Sequence, residues 1–174
     1  MTKTAYLSIG SNLGDRVANC LEAIRLLRET PFVSIHKVSS LYETEPVGYA
    51  KQGDFINCVV EVETTLNAEM LLDLCLNIEN TIGRAGTFKL GPRIIDIDIL
   101  LYGSEIINRE SKIAKQRLTI PHPYMHERRF VLAPLSEIAA EVIHPLLKKD
   151  IRTLLDELND KKKVRRLCHS SIDI

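Results

Sequence analysis

Two carboxylates, Asp96 and Asp98, alternate with branched aliphatic residues in Gly91-Pro92-Arg93-Ile94-Ile95-Asp96-Ile97-Asp98-Ile99-Leu100-Leu101-Tyr102. The pattern predicts a strand over residues 94–102. Side chains in a strand alternate faces, so Ile95, Ile97, Ile99 and Leu101 point one way. Asp96 and Asp98 point the other, about 6.5–7 Å apart by the strand rise. Carboxylates at that spacing can share one or two Mg²⁺ ions, with phosphate oxygens and water completing the octahedra. The donors are all oxygen, which suits Mg²⁺, and no Cys/His cluster points to zinc. Arg93 can pair with the carboxylates instead, and an edge strand with one wet face would carry them with no ligand. Spacing alone leaves these readings open.

A second stretch, Leu118-Thr119-Ile120-Pro121-His122-Pro123-Tyr124-Met125-His126-Glu127-Arg128-Arg129-Phe130, holds His122 between two prolines in extended backbone. Arg128 and Arg129 are planar donors matched to phosphates, or ordinary charges on a surface helix. In a third, Asp54-Phe55-Ile56-Asn57, Phe55 and Asn57 share one strand face. An aromatic ring and an amide side by side suit a flat heterocycle; the plainer alternative is a core phenylalanine beside an asparagine that satisfies backbone groups.

These residues need a frame. Residues 4–9 read as a strand, and Gly10-Ser11-Asn12-Leu13-Gly14-Asp15 as a turn into a helix marked by Val17, Cys20, Leu21, Ile24 and Leu27. Residues 33–42 and 55–64 read as strands flanking a Gly/Pro loop. Asn67 caps a second helix with Leu71, Leu74, Cys75, Ile78 and Ile82 on one face and Gly83 at its end. With residues 94–102 the order is β-α-β-β-α-β. That predicts an α+β, ferredoxin-like fold: an antiparallel sheet, both helices on one face, the other face free for a site. A hairpin over 105–120, a helix over 126–139 interrupted near Pro134, and a helix over 151–158 elaborate this core.

The 174 residues fit one domain spanning the whole chain, with 161–174 expected as a flexible basic tail. Lys+Arg and Asp+Glu balance at 23 each, so any anionic ligand must be held by local charge, and neither nucleic acid nor a membrane is an expected partner. The apolar run at the N-terminus is too short for a secretory signal, and Cys20, Cys58, Cys75 and Cys168 form no CxxC pair. Free buried thiols and a cytoplasmic location are the expectation.

Together, AYLSIGSNLGD (5–15), SSLYETEPVG (39–48), DFIN (54–57), GPRIIDIDILLYG (91–103) and IPHPYMHERRFVLAPL (120–135) resemble, in order, the 6-hydroxymethyl-7,8-dihydropterin pyrophosphokinases of folate biosynthesis. The resemblance covers about residues 1–140. It implies that ATP gives its β,γ-pyrophosphoryl group to the pterin's 6-hydroxymethyl oxygen and leaves as AMP. The expected partners are these two small molecules, and the expected state is a monomer. It implies two Mg²⁺ ions on Asp96 and Asp98, and a pterin between Phe55 and Phe130 whose edge pairs with Asn57, Thr44 and the backbone near Val47. Arg84, Arg93 and His122 would contact the triphosphate. Arg117, Thr119 and Arg128 would lie around ATP, with Glu79 beside the nucleotide. The attacking alcohol would be activated by metal coordination in preference to Asp98, because a carboxylate bound to Mg²⁺ is a poor base.

The sequence departs from the family in the loop before Gly91, an expected lid. Leu90 stands in the place of the usual tryptophan, Phe88 is the available aromatic, and Lys89 is the one cation in residues 85–90. Pro123 and Leu76 stand where some relatives have polar residues facing ATP. Competing readings are a two-metal nuclease or nucleotidyltransferase, which would want a basic track, and a ferredoxin-like binding module. RNA readers of that fold carry an RNP pattern absent here.

Overall fold

The computed structural model describes residues 1–47, 51–83 and 91–167. The elements in chain order are β1 (Lys3–Ser11), α1 (Arg16–Glu29), β2 (Val33–Val38), β3 (Tyr42–Thr44), β4 (Phe55–Thr64), α2 (Ala68–Ile82), β5 (Asp96–Tyr102), β6 (Ile107–Glu110), β7 (Arg117–Ile120), a 3-10 turn (Met125–Glu127), α3 (Arg129–Ala139), α4 (Ile151–Glu157) and β8 (Val164–Arg166). Local chemistry sets the helix ends. The Asp15 carboxylate accepts from the Ala18 amide at 3.0 Å and Asn67 from the Met70 amide at 2.9 Å. Gly83 closes α2 at φ 122°, where a Cβ would be strained.

The order β-α-β-β-α-β and an antiparallel sheet are both present. β1 lies between β5 and β4, and β4 pairs in turn with β2 and β3. The strand expected over 33–42 is broken. Val38 faces Val60 and Tyr42 faces Asn57, so one extra residue is accommodated between them. Ser39 fills the gap: its amide donates to the Val59 carbonyl and its hydroxyl accepts from the Val59 amide, both at 2.9 Å. A side-chain oxygen thus replaces a ladder carbonyl, and the chain restarts as β3.

One sheet face, with Ala5, Leu7 and Ile9 of β1, Cys58 and Val60 of β4 and Ile97 and Ile99 of β5, packs on α1 and α2. The opposite face is not wholly open as expected. Tyr6, Val59, Leu100 and Leu101 pack there against Met125, Val131, Leu132 and Leu135, with Ile151 and Leu154 behind them. The C-terminal helices therefore cover one end of that face and leave the other end as a cleft. Leu101 changes sides from its expected place. Tyr6 pairs with Leu101 but Leu7 with Ile99, so Leu100 is an extra residue. The bulge turns both leucines to the second core and sends Tyr102 to the first, where its hydroxyl donates to the Leu66 carbonyl at 2.7 Å.

Two further expectations change. Pro134 sits inside α3 without interrupting it, withholding one helical amide. Residues 164–166 of the expected flexible tail form β8, paired antiparallel to β3, because the basic side chains meet Glu43 and Glu137 there. The hairpin β6–β7 stands where sequence placed it.

Leu132 is fully buried in the second core. Leu132→Ala is expected to lower the unfolding free energy by about 3 kcal/mol. Urea denaturation checks this; a change near zero would mean that the C-terminal helices contribute no packed core.

Candidate active site

The cleft floor is β1. On its cleft-facing side stand Ser8 and Gly10, with Asp98 and Asp96 opposite them on β5 and Val59 and Asn57 opposite them on β4. Adjacent strands lie about 4.8 Å apart, so the backbones that carry the acidic pair and Asn57 are separated by about 10 Å across two small residues. That leaves a cavity of about 320 Å³. Asp96, Asp98, Arg93, His122, Arg128, Thr44, Val47, Phe55, Asn57 and Phe130 all line it, so most of the residues singled out from sequence converge on one place.

The β4 side is shaped to read a ring edge. Asn57 is buried and its amide nitrogen donates to the Thr44 hydroxyl at 2.6 Å, which fixes the amide plane and leaves the carbonyl oxygen as an acceptor. A Cβ on Gly10 would lie 2.5 Å from that oxygen and 3.7 Å from a Phe55 ring carbon. Gly10 is therefore a glycine because the Asn57 side chain rests on its backbone. Phe55 lies two residues before Asn57 on the same face, and Phe130 reaches the cavity from the start of α3. The Arg128 guanidinium sits 5.2 Å from the Tyr124 ring centre and 5.8 Å from that of Phe130, a cation held against aromatic faces.

The β5 side is charged. Arg93 donates to Asp96 at 2.6 Å, the pairing left open by sequence. Burial opposes the charge on Arg93, but Asp96, Asp98 and Glu79 more than offset it and raise its pKa. Asn12, itself buried, holds the backbone beneath. Its side-chain oxygen accepts from the Arg93 amide at 2.7 Å, its own amide donates to the Arg93 carbonyl at 3.0 Å, and its side-chain nitrogen reaches Gln52 at 2.9 Å and the Gly53 carbonyl at 3.2 Å. Two loops at the cavity mouth are thus tied together by one side chain.

His122 is neutral. Burial pushes its pKa down to about 4, Arg128 adds to the effect, and Asp96 partly opposes it. The ring Nδ1 accepts from the Tyr124 amide at 3.3 Å, so the proton of the neutral ring sits on Nε2, a donor.

Three of the sequence candidates are placed elsewhere. Glu79 is buried on α2, outside the cavity wall, and accepts from the Ile97 amide at 2.7 Å. It braces the backbone between the two aspartates. Arg117 and Thr119 lie on β7, also outside the wall, and both donate to Asn108, at 2.9 and 3.4 Å. Arg84 and Phe88, Lys89 and Leu90 of the expected lid lie outside the described residues. Ser8, Gly10, Asn12 and Tyr124 were not singled out. The two-residue period of β1 already put Ser8 and Gly10 on one face, whereas nothing local marks Asn12.

The described residues contain no cluster of three or more His, Cys, Asp or Glu side chains able to hold a metal. Asp96 and Asp98 are two oxygen donors beside a cavity, which fits a hard cation whose other ligands are phosphate and water.

Residues 6–140 match the sequence profile of the family described as 7,8-dihydro-6-hydroxymethylpterin-pyrophosphokinase. A 2-amino-4-hydroxy-6-hydroxymethyldihydropteridine pyrophosphokinase of Bacillus subtilis is 48% identical over 142 residues, 82% of this chain and 81% of the relative. Its counterpart in Aquifex aeolicus is 42% identical over 154 residues, covering 88% and 91%. A Plasmodium falciparum HPPK-DHPS crystal structure with pteroate superposes with a TM-score of 0.71 at 21% identity; 90% of this chain matches, spanning 42% of that longer chain, and the likeness bears on fold alone.

Gly10→Ala is expected to push the Asn57 amide off Thr44, shifting the Asn57 side-chain NMR resonances and costing about 1–3 kcal/mol of stability; unchanged resonances would mean that the amide does not rest there. For His122, the unfolded ring titrates near 6.5 and the folded ring at about 4. Its contribution to stability is therefore complete above 6.5 and lost as pH falls toward 4. Ring NMR should show a midpoint near 4, and a midpoint above 6 would contradict the burial.

Proposed function

The chain belongs to the 7,8-dihydro-6-hydroxymethylpterin-pyrophosphokinase family and transfers pyrophosphate from ATP to hydroxymethyldihydropterin in folate biosynthesis; we propose that it does so in the cleft over Ser8 and Gly10, with Asp96 and Asp98 holding two Mg²⁺ ions. The observation that carries this assignment is the facing of the acidic pair and the Asn57 amide across β1. A flat bicyclic ring spans that distance. Its amino and ring N–H groups face the Asn57 oxygen, Thr44 and the backbone near Val47 complete the edge, and Phe55 and Phe130 cover its faces. Its hydroxymethyl arm then points to the aspartates.

The hydroxymethyl oxygen attacks the β-phosphorus of ATP. The bond from that phosphorus to the α,β-bridging oxygen breaks, AMP leaves with that oxygen, and the alcohol proton is released. Mg²⁺, when bound, supplies charge neutralisation at the phosphates and makes a coordinated alcohol more acidic. The chain supplies alignment and fixed donors. Arg93, held by Asp96 and Asn12, and His122, a neutral Nε2–H donor, face the phosphates with their geometry set before the substrate arrives, where preorganised charge is most effective. Arg128 extends this donor set. The family resemblance adds Arg84 as a further phosphate contact. Arg117 and Thr119, outside the cavity on the hairpin, serve the nucleoside half of ATP, and Glu79 acts through the backbone of Ile97.

Cys20, Cys58 and Cys75 are buried free thiols, which supports a cytoplasmic setting. No helix among the described residues is long and apolar enough to cross a membrane.

Asp96→Ala and Asp98→Ala are each expected to reduce turnover by about 10³-fold or more with the circular dichroism unchanged. ³¹P NMR of the wild-type reaction should show AMP and a pyrophosphate ester. ADP with a monophosphate ester, or near-normal turnover in either variant, would refute the assignment.

A further inference from the structure

Residues 161–166, Lys-Lys-Lys-Val-Arg-Arg, carry five cations in six positions and lie beyond residue 140, where the family match stops. They are woven into the sheet. β8 pairs with β3, Val164 opposite Thr44 and Arg165 opposite Glu43. The ladder continues past both ends: the Glu45 amide donates to the Lys163 carbonyl at 3.3 Å, and the Leu167 amide to the Leu41 carbonyl at 2.8 Å. Lys162 Nζ donates to the Pro46 carbonyl at 2.6 Å, and the Lys163 amide to the Glu45 carboxylate at 3.3 Å. Arg165 pairs with Glu43, which Arg16 also holds at 3.1 Å. Arg166 joins Ser40 at 2.8 Å and Glu137 at 3.1 Å, and that carboxylate accepts from the Tyr42 hydroxyl at 2.8 Å.

Lys162, Lys163, Val164 and Arg165 meet β3 and the residues after it, of which Thr44, Glu45 and Val47 line the cavity, while Arg166 and Leu167 hold the approach to β3 at Ser40 and Leu41 and reach Glu137 on α3. We propose that residues 161–166 are a strap that pre-sets this wall for the pterin, with Lys162 and Arg165 as positioning residues that never touch substrate. The proposal rests on the reading of the cleft as the pterin site. β3 is only three residues long, and the wall after it has no ladder partner other than this segment among the described residues. A single exposed ion pair holds a segment weakly, but a strand ladder with four side-chain anchors holds it jointly. A wall ordered in advance spares the ligand the entropic cost of ordering it, which appears in affinity and not in the chemical step. The five cations look suited to ATP phosphates, yet Arg165 and Arg166 are committed to carboxylates and Lys162 to a carbonyl.

The test compares the full chain with the double variant Lys162→Met, Arg165→Met, which keeps the side chains' length and removes their anchors. The KM and Kd for hydroxymethyldihydropterin should rise about tenfold, while kcat at saturation and the KM for ATP stay within about twofold. Lys162→Arg, which keeps a donor, should behave as the wild type. A second variant, Arg165→Pro, removes the backbone donor midway between the two ladder bonds and should act in the same direction. Unchanged pterin affinity overturns the proposal. So does an affinity loss confined to ATP, or a parallel loss for both substrates, which would make the segment merely structural. If the double variant does not fold, Lys162→Met alone decides by the same criteria. A wild-type chain that fails to bind the pterin would sink the reading of the cleft, a result distinct from these.

Discussion

The constraint on which the site depends is the alternation of side chains on three adjacent strands, locked in register by the β1 ladder. Gly10 faces Asp96 on one side and Asn57 on the other. A one-residue slip of either neighbour would send the aspartates, or the amide and Phe55, into the apolar core beneath. That core is dense with Leu7, Ile9, Cys58, Val60, Ile97 and Ile99, so such a slip would bury charge without a partner. The hydrophobic layer therefore specifies the polar one. The small size of Ser8 and Gly10 then turns a flat sheet face into a cavity.

Electrostatics in the cleft are set locally, without a charged protein. The chain is balanced overall, and Arg93 is kept charged by carboxylates despite burial. His122 is kept neutral by the same burial and by Arg128. Two donors of different kinds, one cationic and one neutral, thus stand at one cavity wall. Asn12 and Glu79 set the backbone from which Arg93 and the aspartates project, by accepting amide protons at Arg93 and Ile97. Their carboxylate and amide groups support the site by fixing main-chain direction.

The C-terminal third changes what the ferredoxin-like core can do. α3 and α4 cover one end of the sheet face opposite α1 and α2, and Phe130 and Arg128 enter the cleft from the start of α3. A β-bulge at Leu100 makes this possible, by giving β5 two successive leucines for the second core. β8 closes the outer edge of the sheet and meets the loop that walls the cavity.

The ordered motifs carried the family resemblance. The sequence by itself also determined the order of the β-α-β-β-α-β core, the faces of Asp96, Asp98, Phe55 and Asn57, and the caps at Asn67 and Gly83. These follow from periods of 2 and 3.6 and from residues whose backbone preferences are local. Only the tertiary structure decided the rest. Leu101 crossed to the other face because a bulge depends on the pairing partner. The strand over 33–42 broke because the Ser39 hydroxyl found Val59. Glu79 turned to a backbone amide, and residues 164–166 became a strand because Glu43 and Glu137 were waiting on an element more than a hundred residues away for the first and on α3 for the second. Each is a contact between segments distant in the chain, and spacing along one segment carries no information about what will stand opposite it.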